Sequence, residues 1–269
     1  MRAYIINLDH ATERWSHIQN SFGETNLTLE RVSAVDGRTM SLPDARFAEG
    51  RFRWSHGRET NIFEVACYLS HLKALEQFLA TGDEMALIGE DDVVPGPALD
   101  AVLAAALHYK NSWNILRLTG LSGGGVQVVG LSTGHALAIH TKRLKGAGAY
   151  LVDRRAAQSF LDNLLPMRLP YDHAFDREWV FGLRAMAVTP FPISQTEKQF
   201  RSSIQRNSKP RLSFFRRLIG TYPYQAYNEI SRSLFRWGRL LGLKFHFGWG
   251  TGRALRAAGH LKSAAQEGQ

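Results

Sequence analysis

Residues 85–95, Met-Ala-Leu-Ile-Gly-Glu-Asp-Asp-Val-Val-Pro, most tightly limit what this chain can fold into. A short apolar run of buried-strand length stops at three consecutive carboxylates, Glu90, Asp91 and Asp92, and two valines and a proline then close the element. Adjacent acids repel one another and lose solvation near an apolar core, so a positive partner is expected beside them. Carboxylate oxygens with no cysteine near them in the sequence suit a hard divalent ion, Mg²⁺ or Mn²⁺, rather than zinc. An ion held by one or two carboxylates keeps positions open for phosphate oxygens, so the strand end is expected to grip a nucleotide diphosphate through a metal. The competing reading is an acidic surface loop after a strand.

The 269 residues are enough for one large domain with an appendage, and 44% apolar with 21% charged residues is the balance of a folded globular protein. Short apolar runs alternating with longer helical patterns favour an α/β class. A single cysteine, Cys67, excludes an internal disulfide and a cysteine-based zinc cluster. Asn7 and Asp9 come too early for a signal-peptide core, and no run approaches the roughly 18 apolar residues of a spanning helix. A cytoplasmic location is expected. The net charge of +9 is concentrated late: residues 201–269 hold 13 Lys/Arg against 2 Asp/Glu, whereas residues 1–200 are close to neutral. Two regions follow, a globular domain over 1–206 and a basic helical region over 207–269.

Residues 3–8, 11–22 and 27–35 read as strand, helix, strand, with polar residues gathered at the strand ends, where open α/β sheets bind ligands. Glycine spacing fits neither a dinucleotide fingerprint nor a P-loop. Residues 38–60 are polar and irregular, and their arginines (46, 51, 53, 58) are expected to be solvated or paired with acids. Residues 63–79 form a helix on which Glu64, Cys67 and His71 stand three and four apart on one side. His71 alone reads as a buried histidine hydrogen-bonded to a loop. Beyond a helix at 99–109 and a strand at 113–118, residues 120–134 read as a loop. Strands at 135–140 and 148–152 are expected to pair with each other, and Asp153 caps a helix running to 165. Asp172, after Pro170-Tyr171, is either a helix N-cap or a carboxylate directed into a cleft as a general base. Residues 185–188 make a last strand, and Gln199, Arg201, Ser202 and Ser203 follow as groups able to close over a ligand. Within 224–243, Ile230, Leu234, Trp237 and Leu241 line one side of a helix and Arg232, Arg236 and Arg239 the other. That pattern predicts a basic amphipathic helix lying on an anionic membrane surface; the alternative is a helix packing its apolar stripe on the domain, with its arginines in water.

The ordered blocks Tyr4-Ile-Ile-Asn-Leu-Asp9 with Arg14, Arg31-Val-Ser-Ala-Val-Asp36-Gly37, Glu64-Val-Ala-Cys67-Tyr-Leu-Ser70-His71, Glu90-Asp91-Asp92-Val93, Gly148-Ala-Tyr150-Leu, Pro170-Tyr-Asp172 and Ser202-Ser203-Ile204 resemble glycosyltransferase family 25, the lipooligosaccharide (LPS) biosynthesis glycosyltransferases. The chain departs from the family pattern at Phe63 (usually glycine), Gly89 (usually aliphatic) and Tyr171 (commonly valine). The resemblance implies a GT-A-like fold: a Rossmann-type mixed sheet flanked by helices, here with a basic helical C-terminal extension. It implies a bacterial, metal-dependent and inverting transfer of a sugar, commonly galactose, from a UDP-sugar to a hydroxyl of a glycolipid acceptor. Carried over by position in a DXD-type motif, Asp92 and Glu90 are the metal ligands, and Glu90 also faces the donor sugar. Asn7, Asp9, Arg14, Asp36, Gly37, Glu64, Ser70, His71 and Asp91 shape the donor pocket. Asp172 is the candidate base, ahead of Asp176 and Glu178. The basic tail would hold the enzyme at the inner face of the cytoplasmic membrane. A nucleotidyltransferase also uses paired acids and a divalent ion, and a nucleic-acid binder could use the basic tail, though no nucleic-acid motif is present and no such partner is expected.

Overall fold

A computed structural model of the chain describes residues 1–121, 125–195 and 209–247. Strand β1 (Arg2–Asn7), helix α1 (Thr12–Ser21) and strand β2 (Thr28–Ser33) form a parallel β-α-β unit in which Asn7 lies opposite Ser33. After α2 (Glu49–His56) and α3 (Ile62–Leu79), β3 (Met85–Glu90) pairs in parallel on the other side of β1, with Glu90 opposite Ile6. Three parallel strands therefore finish at one edge, and the polar residues 7–9, 33–37 and 90–92 are carried there together.

The chain continues through β4 (Val93–Pro95), α4 (Leu99–Leu107), β5 (Ile115–Arg117), β6 (Val126–Gly130), β7 (Ala136–Ile139), β8 (Ala149–Asp153), α5 (Arg154–Asn163), α6 (Tyr171–Phe175), β9 (Ala185–Thr189), β10 (Ile193–Gln195) and α7 (Tyr222–Phe247). Among the described residues, the main sheet has eight strands in the order β2-β1-β3-β8-β5-β9-β7-β6, mixed in direction; β4 and β10 make a separate two-stranded ribbon. Alternate residues of the central strands feed two cores, as a sheet buried on both faces requires. Tyr4, Ile6, Ile88 and Tyr150 pack with α3 and α5, whereas Ala3, Ile5, Leu87 and Leu151 pack with α1 and α4. Asp153 caps α5 as expected, accepting from the Ala156 amide at 2.7 Å.

Five expectations change. Residues 38–60 contain a helix, α2, and residues 120–134 contain a strand, β6, bulged between Gln127 and Val129. Strands β7 and β8 do not pair with each other: β7 lies between β6 and β9, and β8 between β3 and β5. Asp172 does not cap α6; Pro170 occupies the N-cap and Asp172 lies in the first turn.

The fifth change concerns α7, in which the arginines rather than the apolar stripe face the domain. Arg232 and Arg236 are buried, while Ile230, Leu234, Trp237 and Leu241 face outward. Beneath the helix lie Asp176 and Glu178, 3% and 0% exposed, which would be uncompensated buried charges without it. Arg236 meets both Glu178 oxygens at 2.7 Å and Asp176 at 2.9 Å, and donates to the His140 and Lys142 carbonyls. Arg232 lies 3.1 Å from Asp176, and Arg117 reaches the same carboxylate at 3.2 Å from below. Arg239 donates to the Ala185 and Ser112 carbonyls. These arginines are occupied internally and do not form a basic membrane face. The same network removes Asp176 and Glu178 as candidate bases, because each is sealed under guanidinium groups. Among the described residues, no helix is long and apolar enough to cross a membrane.

Candidate functional site

The three consecutive acids of the β3 end have three different surroundings. Asp91 is 7% exposed and locked: Arg14 pairs with it, and the Asn7 side-chain amide donates to it at 2.6 Å. Asn7 is held in turn, its carbonyl oxygen accepting from Arg31 at 2.9 and 2.6 Å and its amide also donating to the Ala11 carbonyl. Asn7 and Asp91 thus fasten the ends of β1 and β3 together, and their hydrogen-bonding capacity is spent inside the protein.

Asp92 and Glu90 keep more access, their side chains being 22% and 31% exposed. Arg14 lies 3.9 Å from Asp92, and Gln195, brought alongside by the β4–β10 pairing, donates to it at 3.5 Å. Burial, with Glu90 and then Asp91 adding repulsion, pushes the Asp92 carboxyl from 3.8 up to about 7 despite Arg14 and Gln195. A carboxylate so strained by its neighbours favours a cation, and a two-carboxylate donor set leaves a hard ion positions for water and phosphate. The residues present therefore fit Mn²⁺ or Mg²⁺.

Helix α3 supplies the floor. Ser70 is structural: its hydroxyl donates to the Ala66 carbonyl and accepts from the Val35 amide at 2.9 Å, tying the helix to the segment after β2. His71, 1% exposed, stacks on Tyr171 with centroids 4.0 Å apart and planes 5° apart. Its Nε2 is 3.3 Å from Glu90 and its Nδ1 3.3 Å from the Tyr150 hydroxyl, so it contacts the acidic strand end rather than a loop. Glu64 is buried against Arg58, and burial raises its pKa. Burial also pushes the Cys67 thiol well up, and Glu90, Asp172, Glu64 and Asp92 push it further. Of these carboxylates, Glu90 lies within 4.8 Å of the Cys67 sulfur. Asp172, from α6, accepts from the Gly146 amide at 3.4 Å.

The remaining positions carried over lie at the rim. Asp9 accepts from the Ser33 hydroxyl at 2.7 Å. Asp36 is chelated by Arg38, whose hydrogen bonds lower its carboxyl to about 2. A side chain on Gly37 would come 2.7 Å from the Phe63 ring and 3.2 Å from Phe63 Cα, so the small residue makes room for this chain's unusual Phe63. Arg46 pairs with Asp44 and Arg58 with Glu64, as expected for arginines of this stretch. Residues 199–204, including the Ser202-Ser203-Ile204 block, lie outside the described residues. Sequence reasoning missed Gln195, Tyr150 and the Cys67–Glu90 juxtaposition. Only the four-residue spacing of Cys67 and His71 signalled the last.

Paired carboxylates at the end of a parallel strand, with a third acid locked beneath them, are a donor set that could hold a divalent ion. Comparison with known proteins narrows the class. Residues 1–125 match the sequence model of "Glycosyltransferase family 25 (LPS biosynthesis protein)". A glycosyltransferase 25 family member of Aedes aegypti is 37% identical over 95 residues, 34% of this chain and 16% of the mosquito protein. The lacto-N-neotetraose biosynthesis glycosyltransferase LgtE of Neisseria gonorrhoeae is 25% identical over 230 residues, covering 77% of this chain and 78% of that protein. The N-terminal part of the chain is therefore similar to glycosyltransferase family 25. It spans only 16% of the length of the mosquito relatives it matches. Among solved structures, A197 from STIV has a TM-score of 0.41 at 12% identity, over 79% of this chain and 94% of that one. A Drosophila β1,4-galactosyltransferase 7 complexed with manganese, UDP-Gal and xylobiose has a TM-score of 0.37 at 14% identity, over 81% and 78%.

Proposed function

We propose that this protein is a metal-dependent glycosyltransferase that moves a sugar, galactose in the first instance, from a UDP-sugar to a hydroxyl of an LPS-type glycolipid, with inversion. Similarity to the family alone does not carry the activity: a rat relative, 26% identical over 217 residues, is described as a probable inactive family member. The supporting observation is that the Asp92 and Glu90 side chains are 22% and 31% exposed at the strand end, while Asn7 and Arg14 hold the buried Asp91. Asp92 and Glu90 would hold the ion, which when bound stabilises the charge left on a departing diphosphate. Residues 9 and 36–37 shape the donor rim, and His71 orients Glu90. Asp172, in the first turn of α6, accepts the proton of the attacking hydroxyl. Transfer from UDP-galactose with Mn²⁺, measured for the natural protein and Asp92→Asn, tests this reading. Loss of transfer with an unchanged circular dichroism spectrum is expected. Equal transfer by the variant, or turnover of nucleoside triphosphates in place of UDP-sugars, would replace it with another reading.

The domain division is kept in a modified form: residues 1–206 carry the catalytic site, and within residues 207–269 helix α7 is sealed to it by Arg232 and Arg236. Membrane contact at the inner face of the cytoplasmic membrane would then run through the outward stripe of α7, in which Tyr227, Ile230, Leu234, Trp237, Leu241 and Phe245 are 45–76% exposed. An apolar patch of this extent marks an interaction surface, and a lipid interface also suits a glycolipid acceptor. Vesicle co-sedimentation that persists at high salt and is lost in Leu234→Glu/Trp237→Glu is expected. Unchanged binding in that double variant would remove the stripe from the account.

A further inference from the structure

Beneath the hard-ion carboxylates lies a second set of metal-ligating groups. Cys67 and His71 occupy positions i and i+4 of α3 and so project from one face of the helix. Glu90 meets them from the end of β3. The Cys67 sulfur, a His71 ring nitrogen and a Glu90 oxygen all lie within 4.8 Å of one another. Ligands around a tetrahedral zinc ion stand roughly 3.5 Å apart, given bonds of about 2.0–2.3 Å, so a side-chain adjustment of about an ångström completes the geometry.

The histidine is prepared for such a role. With Nε2 turned to Glu90, its other nitrogen faces the Tyr150 hydroxyl, which hydrogen-bonds the Tyr171 hydroxyl at 2.7 Å, and the Tyr171 ring lies flat against the imidazole. A metal-bound histidine characteristically has its second ring nitrogen held in this way, which fixes tautomer and orientation. A thiolate and an imidazole select a borderline or soft ion over Mg²⁺ or Mn²⁺, and three protein ligands leave a fourth position for water.

We propose that Cys67, His71 and Glu90 form a zinc-binding position adjoining the hard-ion site and sharing Glu90 with it. Because Glu90 cannot serve both ions fully, zinc held on α3 opposes hard-ion binding at Asp92. Binding of zinc itself is independent of the transferase reading and is measured without turnover.

Cobalt(II) is the spectroscopic probe. Added to the full chain, about one equivalent is expected to produce a near-ultraviolet thiolate-to-cobalt absorption band that excess Zn²⁺ abolishes. Since Cys67 is the only cysteine, Cys67→Ser must remove the band, whereas Asp92→Asn must keep it. Tyr150→Phe is expected to weaken zinc binding by roughly 10–100-fold, measured calorimetrically. A measurement on the natural protein needs no variant to fold: Zn²⁺, but not Mg²⁺, should slow alkylation of Cys67. Absence of the cobalt band, unchanged zinc affinity in Cys67→Ser, or equal alkylation with and without Zn²⁺ would each overturn the proposal.

Discussion

The orientation of α7 can be tested by paired substitutions whose effects are opposite under the two packings. Arg236→Met keeps most of the buried stem and removes the guanidinium. Lost with it are two 2.7 Å contacts to Glu178, one of 2.9 Å to Asp176 and the bonds to two carbonyls. Breaking a buried ion pair from one side costs about 3–5 kcal/mol, because the remaining carboxylate stays buried and uncompensated. At about 2–4 °C per kcal/mol for a chain of this size, the melting temperature should fall by roughly 6–20 °C. Leu234→Ala, at a position 71% exposed, should stay within about 0.5 kcal/mol of the natural protein. Adding Glu178→Met to Arg236→Met should recover part of the loss, since an apolar pair replaces a widowed charge. Thermal and urea unfolding followed by circular dichroism measure all three. If Leu234→Ala costs more than Arg236→Met, the apolar stripe is the buried face and the assignment of α7 fails.

Manganese binding should depend on pH with a definite sign. Asp92 is raised from 3.8 to about 7, so the metal-free protein loses stability as pH climbs through that window, while the ion, which competes with the proton, gains affinity. Melting-temperature gains with Mn²⁺ should be larger near about pH 8 than near about pH 6, and a pH-independent gain would count against Asp92 as the ligand. Gly37→Ala forces a methyl group to 2.7 Å from Phe63 and should cost about 1–3 kcal/mol. Combining it with Phe63→Ala should be less than additive in a double-mutant cycle, and strict additivity would break the inferred contact. Asn7→Ala leaves Asp91 and Arg31 short of partners within the fold and should cost about 1–3 kcal/mol in urea unfolding. A neutral result would mean water replaces the amide.

The strands and most helices were legible because their signal is local. Residues 3–8 and 85–90 are short apolar runs stopped by polar groups, and Asp153 announces its helix by cap chemistry. The acidic tripeptide likewise marked the strand end as a place needing positive charge. The sequence could not tell the three acids apart. Asn7 and Arg14 lie more than 70 residues away, and only the parallel β1–β3 pairing delivers them to Asp91 and leaves Asp92 and Glu90 the more exposed acids. Cys67 is distant from Glu90 along the chain, so the premise that no sulfur neighbours the carboxylates was true of the sequence and false of the fold.

Helix α7 shows the same division most sharply. Its periodicity fixes which residues share a face, because 3.6 residues make a turn whatever surrounds the helix. It does not say which face is buried. That depends on what lies opposite, and here two carboxylates with no solvent outweigh a stripe of leucine and tryptophan. Local periodicity determined the elements and their faces; the burial of Asp176 and Glu178, a property of the assembled chain, decided which face turned inward.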